Sequence, residues 1–226
     1  MTIKNKEVLL FDLDGTLVDS APDLAVALNK MLRDLSKKEF DQDTIRTWVG
    51  NGAKILVERG LSGSSTIDSQ LDSDLANKAL SIFLAHYREN VCVETVLYDG
   101  VKEGLDAFKE AGFRLGIITN KPAALIQPIL AGLGVDDMFD ILIGADTLAE
   151  KKPHPAQLLY AVEQLNVTAE QCLMIGDSKN DILAAKAAKM DSVGLTYGYN
   201  YGENIANYHP QWCFDRFSQL TAALQR

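Results

Sequence analysis

Val8-Leu9-Leu10-Phe11-Asp12-Leu13-Asp14-Gly15-Thr16 is an apolar run that ends in two carboxylates one residue apart, followed at once by a glycine. The run is short for a helix and rich in strand formers, so it reads as a buried strand. Asp12 then stands at the carboxyl end of that strand, where an open α/β sheet places its ligand site. Two acids this close repel each other unless a cation, a proton or a transferring group compensates. A strand followed by an Asp-Gly turn would produce the same string. The rest of the chain has to decide.

Beyond residue 95 the pattern alternates. Strands are expected at 115–118, 141–143, 172–175, 192–195 and 212–214, with helical stretches at 104–111, 125–133, 156–165 and 182–188 between them. This alternation predicts an α/β fold with a Rossmann-like parallel sheet and helices on both faces. Residues 23–87 differ: Leu24, Leu28, Met31, Leu32 and Leu35 make one helical stripe, and Leu75, Ala79, Ile82, Phe83 and Tyr87 another. The first strand has no neighbour until Leu115, so an all-helical unit (21–92) is inserted into a discontinuous core (1–20 and 93–226).

The net charge of −9 argues against a nucleic-acid or anionic-membrane partner, both of which require basic surface. Cys92, Cys172 and Cys213 show no metal or redox spacing, as expected of reduced thiols. His86, His154 and His209 are too scattered to suggest zinc. No apolar leader or membrane-spanning run is visible, and a cytoplasmic protein is expected.

Three more polar clusters follow expected strand ends or precede a helix. Thr119-Asn120 offers a hydroxyl and an amide, Gly176-Asp177-Ser178-Lys179-Asn180-Asp181 brings two more acids, and Lys151-Lys152-Pro153-His154-Pro155 holds a lysine before a rigid turn. Each alone is explained by helix capping or a turn. Together on one sheet edge they supply acids for a divalent cation, neutral donors and one ammonium. Magnesium takes hard oxygen ligands, and a transferring phosphoryl group needs an in-line nucleophile and charge stabilisation around its oxygens.

On these residues the chain resembles the haloacid dehalogenase superfamily of aspartate-nucleophile phosphohydrolases. The four motifs occur in order as Asp12-Leu13-Asp14-Gly15-Thr16, Thr119-Asn120, Lys152-Pro153, and Gly176-Asp177 with Asp181. Within it, Trp48-Val49-Gly50-Asn51-Gly52-Ala53, Lys152-Pro153-His154-Pro155 and the 194–203 loop are similar to the phosphoglycolate phosphatase family. Two positions depart from that pattern: Lys189 stands where glycine is expected, and Gln157 where proline is expected.

The resemblance implies that the helical insert is a cap and that Asp12 is the nucleophile. It makes Asp14 the general acid and base. It implies Mg2+ held by Asp12, the Asp14 carbonyl and Asp177, with Asp181 behind them orienting a metal water or Lys152. Thr119 and Asn120 would bind phosphoryl oxygens, Lys152 rather than Lys151 would neutralise charge, and Gly50, Asn51 and Gly52 would face the substrate. The expected reaction is magnesium-dependent hydrolysis of 2-phosphoglycolate through an aspartyl phosphate, by a monomer or small homo-oligomer. A phosphatase or mutase of the same superfamily acting on a phosphosugar, and a non-enzymatic phosphate-binding module, are the alternatives.

Overall fold

The computed structural model describes residues 3–224. In chain order the elements are β1 (Val8–Phe11), β2 (Val18–Asp19), α1 (Ala21–Asp34), α2 (Gln42–Arg46), α3 (Ala53–Ser62), α4 (Ser73–Glu89), β3 (Val96–Leu97), α5 (Val101–Glu110) and β4 (Arg114–Ile118). They continue with α6 (Ile126–Gly132), β5 (Ile141–Ile143), α7 (Ala156–Gln164), β6 (Cys172–Gly176), α8 (Lys179–Ala187), β7 (Asp191–Leu195), β8 (Trp212–Phe214) and α9 (Phe217–Ala223).

Six strands form one parallel sheet in the order β5-β4-β1-β6-β7-β8. Its centre explains the opening run of sequence. Leu9 and Phe11 face a core built with Val101, Leu105 and Phe108 of α5, Ile129 of α6 and Phe217 of α9. Val8 and Leu10 face the opposite core, with Leu158 and Ala161 of α7 and Ala184 and Ala185 of α8. A strand covered on both faces has no polar side, which is why β1 is apolar throughout.

Helices α1 to α4 enclose a third core. Leu28, Met31 and Leu32 meet Ile45, Trp48, Val57, Ala79 and Phe83, and Leu125 and Tyr199 join from the α/β part. The apolar stripes of residues 23–87 are therefore spent largely on one another.

Several features differ from the sequence expectation, among them α5, which starts at Val101 rather than 104, and α9, where no helix is expected. A short antiparallel ribbon, Val18 opposite Leu97 and Asp19 opposite Val96, ties the two crossings into the helical segment; two-residue strands are too short to show a period. Helix α2 also escaped notice, being a little over one turn, started by Asp41 accepting from Thr44 N–H. Helix α8 starts at Lys179 rather than 182, because Ser178 and Asp181 form a capping box.

Neighbouring strands carry the polar clusters to one place. In the order β4-β1-β6, their carboxyl ends run into Thr119, Asp12 and Asp177 respectively.

Candidate active site

Asp12 follows β1 with its backbone N–H donating to Ile175 O at 2.9 Å, so the sheet still holds it. Its Oδ1 accepts from Leu13 N–H at 2.8 Å and lies 3.0 Å from Lys152 Nζ. Burial pushes its carboxyl up to about 6, against the pull of the Lys152 ammonium. Lys152 Nζ also donates to Asp181 Oδ1 and to Ile118 O, both at 2.6 Å. Burial opposes its charge, but Asp12 and Asp181 outweigh that and hold the ammonium above the usual lysine range.

Asp177 accepts from Thr16 Oγ1 and from Tyr199 N–H, each at 2.7 Å. Burial, then repulsion from Asp181 and Asp12, raises its carboxyl well above the ordinary value. Gly15 makes this approach possible: it has φ +87°, and a Cβ there would lie 2.3 Å from Asp177 Oδ2. Asp12, Asp177 and Asp181 each offer an oxygen within 4.8 Å of the others. Three acids less the Lys152 ammonium leave two formal negative charges, which one divalent cation balances. The donor set fits a hard cation. Asp181 already accepts from Lys152 and from the Ser178 N–H and Oγ, so it serves Lys152 better than it could serve a metal.

Asp14 has separate partners. Ser20 Oγ donates to it, and Lys121 Nζ lies 2.8 and 3.0 Å from its two oxygens. Burial opposes the charge of Lys121, while Asp14 and Tyr87 hold it above the usual lysine range.

Thr119 is buried, and its Oγ1 accepts from Lys121 N–H at 3.2 Å. Asn120 Nδ2 donates to Lys152 O at 3.0 Å and to Gly50 O at 3.3 Å, joining the lysine loop to the loop before α3. Asn180 Nδ2 holds the same loop through Gly50 O and Asn51 Oδ1 and also reaches Tyr201 Oη of the 194–203 loop. Gly50 has φ +116°, and a Cβ there would fall 2.4 Å from Tyr201 Oη. Between this loop, the sheet edge and α4 lies a cavity of about 30 Å³, lined among others by Asp12, Asp14, Gly50, Gly52, Tyr87 and Lys121. Asn51 is not among its lining residues; its carbonyl instead accepts from Lys151 Nζ at 2.9 Å.

The haloacid dehalogenase-like hydrolase model matches residues 6–189. The chain belongs to that family. A phosphoglycolate phosphatase from Colwellia psychrerythraea is 70% identical over 226 residues, all of both chains. The crystal structure of a predicted phosphoglycolate phosphatase from Haemophilus somnus 129pt has a TM-score of 0.89 at 39% identity, covering 97% of this chain and 98% of that one. CbbY from Rhodobacter sphaeroides, solved as a mutant with xylulose-1,5-bisphosphate, has a TM-score of 0.77 at 25% identity, covering 98% and 100%.

In this hydrolase the structure gathers Asp12, Asp14, Thr119, Asn120, Lys152, Asp177 and Asp181 at one sheet edge, with Gly50 and Gly52 across the cavity. Sequence reasoning passed over Ser20, Tyr87, Lys121 and Asn180. Lys121 had a visible signal, since it directly follows Thr119-Asn120. Tyr87 had none, because on α4 it looks like any apolar stripe residue. Gln157, noted only as a departure, is buried: its Oε1 accepts from Lys152 N–H, and its Nε2 donates to Gly144 O and Thr119 O.

Proposed function

We propose that this phosphoric monoester hydrolase converts 2-phosphoglycolate to glycolate and inorganic phosphate, with Mg2+ at the acidic cluster. The observation that carries the substrate is the full-length likeness to the Colwellia psychrerythraea phosphoglycolate phosphatase, 70% identical over 226 residues. The cavity beside Asp12 and Asp14 is small, so a sugar would hold the cap loop further from the sheet than a two-carbon acid does.

Asp12 attacks phosphorus, forming an aspartyl phosphate and releasing the glycolate oxygen. The Leu13 N–H and Lys152 fix the orientation of its carboxylate. Asp14 gives its proton to the leaving oxygen, then takes one from the water that cleaves the intermediate. Thr119 and the Asn120 N–H bind phosphoryl oxygens, and Lys152 offsets the charge that grows on them. Asp12, the Asp14 carbonyl and Asp177 would hold the Mg2+, which supplies further charge neutralisation when bound. Asp181 keeps Lys152 aimed at Asp12. The 21–92 segment acts as a cap, and the loop at Gly50–Gly52 meets the substrate from above. Helix α3 starts there with no side-chain cap, so its first N–H groups favour an anion.

The test is catalytic efficiency for 2-phosphoglycolate, glycerol phosphate and a hexose phosphate at equal magnesium. 2-Phosphoglycolate is expected to lead by at least an order of magnitude. A leading hexose phosphate would move the substrate to the phosphosugars and leave the phosphohydrolase chemistry in place.

A further inference from the structure

The cavity has a polar end that the phosphoryl chemistry leaves unused. Lys121 is buried at 4% exposure, and its ammonium has three donors. Its Nζ contacts Asp14 and lies 4.8 Å from the centre of the Tyr87 ring. Tyr87 is 1% exposed, and its hydroxyl proton has no acceptor among the described residues. Burial pushes that hydroxyl up to about 12, so it remains a donor at neutral pH. Leu24, Val49, Leu56, Phe83 and Leu125 close the cavity with apolar surface.

A buried ammonium next to an unspent hydroxyl donor, beside the apolar wall of the cavity, is a receptor for a small anion. A phosphoryl group at Asp12 already has Thr119, Asn120 and Lys152. The second anionic group of the substrate does not. We propose that Lys121 and Tyr87 bind the carboxylate of the substrate and thereby select a phosphorylated acid over an uncharged phosphate ester. This rests on the substrate reading above and deepens it. Lys121 comes from the β4 edge and Tyr87 from α4, so the receptor is complete only when the helical segment sits over the sheet. An ester without the carboxylate leaves both donors unmatched in a dry site, which costs binding.

The experiment uses the full chain with magnesium and reads the ratio of kcat/KM for 2-phosphoglycolate to that for ethyl phosphate. Tyr87→Phe removes only the hydroxyl and should lower the ratio about tenfold, mainly through KM for 2-phosphoglycolate. Lys121→Met should lower it by on the order of a hundredfold, as expected for losing a hydrogen bond to a charged group. A ratio unchanged within about twofold in Tyr87→Phe, with wild type preferring 2-phosphoglycolate, overturns the proposal while the substrate reading stands. Equal losses on both substrates in Lys121→Met would assign that lysine to Asp14 alone and overturn the pair. If Lys121→Met does not fold, the Tyr87→Phe ratio decides. A wild-type ratio near one removes the substrate reading and this receptor with it.

Discussion

Asp12 and Asp14 are separated by one residue and chemically alike, yet the fold gives them different companions. Asp12 shares Lys152 with Asp181 and stands in repulsion with it. Asp14 has Ser20 and Lys121 to itself. Two acids with separate partners can take separate roles, which the proposed nucleophile and proton carrier require. The two neighbouring lysines divide in the same way. Lys152 is buried among two carboxylates and a carbonyl, whereas Lys151 donates to Asn51 O in the cap loop. Lys152→Ala should therefore cost on the order of 3 kcal/mol of transition-state stabilisation, about a hundredfold in kcat. Lys151→Ala should cost much less, and steady-state kinetics on the two variants checks this.

The raised carboxyls also make a pH prediction for the metal-free protein. Asp12 is raised from 3.8 to about 6 on folding, and Asp177 is raised in the same direction. The native state then binds more protons than the unfolded chain between those values. The contribution of Asp12 to stability is full below about pH 4 and is lost as pH rises through about 6, and that of Asp177 is lost in the same direction. Melting in excess chelator should show a Tm that falls across this window. Asp12→Asn should flatten the fall, and magnesium should reverse it by binding the ionised carboxylates. The same Asp12→Asn protein should lose several orders of magnitude in turnover while remaining folded.

At the scale of elements, α8 shows local sequence and site chemistry using the same residues. Ser178 and Asp181 cap the helix, and Asp181 also orients Lys152. At the other end, Lys189 sits at φ +55° and donates its N–H to Lys186 O. A side chain in this left-handed conformation is strained, and glycine is not. Lys189→Gly should raise stability by about 0.5–1 kcal/mol without altering kinetics, measurable by urea unfolding. The other departure has a different meaning. Gln157 occupies a fully buried position where proline is expected, and its amide ties the Lys152 backbone to Thr119 O and Gly144 O. Here the side chain supplies three hydrogen bonds that a proline ring could not.

For the whole molecule, the short β2–β3 ribbon sets how separable the helical segment is. Asp19 opposite Val96 brings the two crossings to adjacent-strand distance. A short linker can therefore replace residues 22–91, whose apolar side chains mostly pack on one another. The excised protein should fold as the six-stranded core. Its preference for 2-phosphoglycolate over larger phosphate esters should collapse, because Gly50, Gly52 and Tyr87 leave with the segment. Circular dichroism and a substrate panel test both parts; unchanged selectivity would remove the specificity role from this segment.

The sequence alone determined the parallel sheet, the inserted helices and seven polar residues that gather at one sheet edge. It could do so because β1, β4 and β6 are short apolar runs that end in polar residues, and parallel pairing leaves those ends on one edge. The tertiary structure alone decided what those residues touch. Lys121 meets Asp14 across 107 positions of sequence, and Tyr87 approaches them only because α4 packs over the cavity. The spacing of charges along a chain says which residues share an edge. Which acid receives which cation depends on side-chain reach and on what burial leaves unpaired, and both exist only once the sheet and the helical segment have packed.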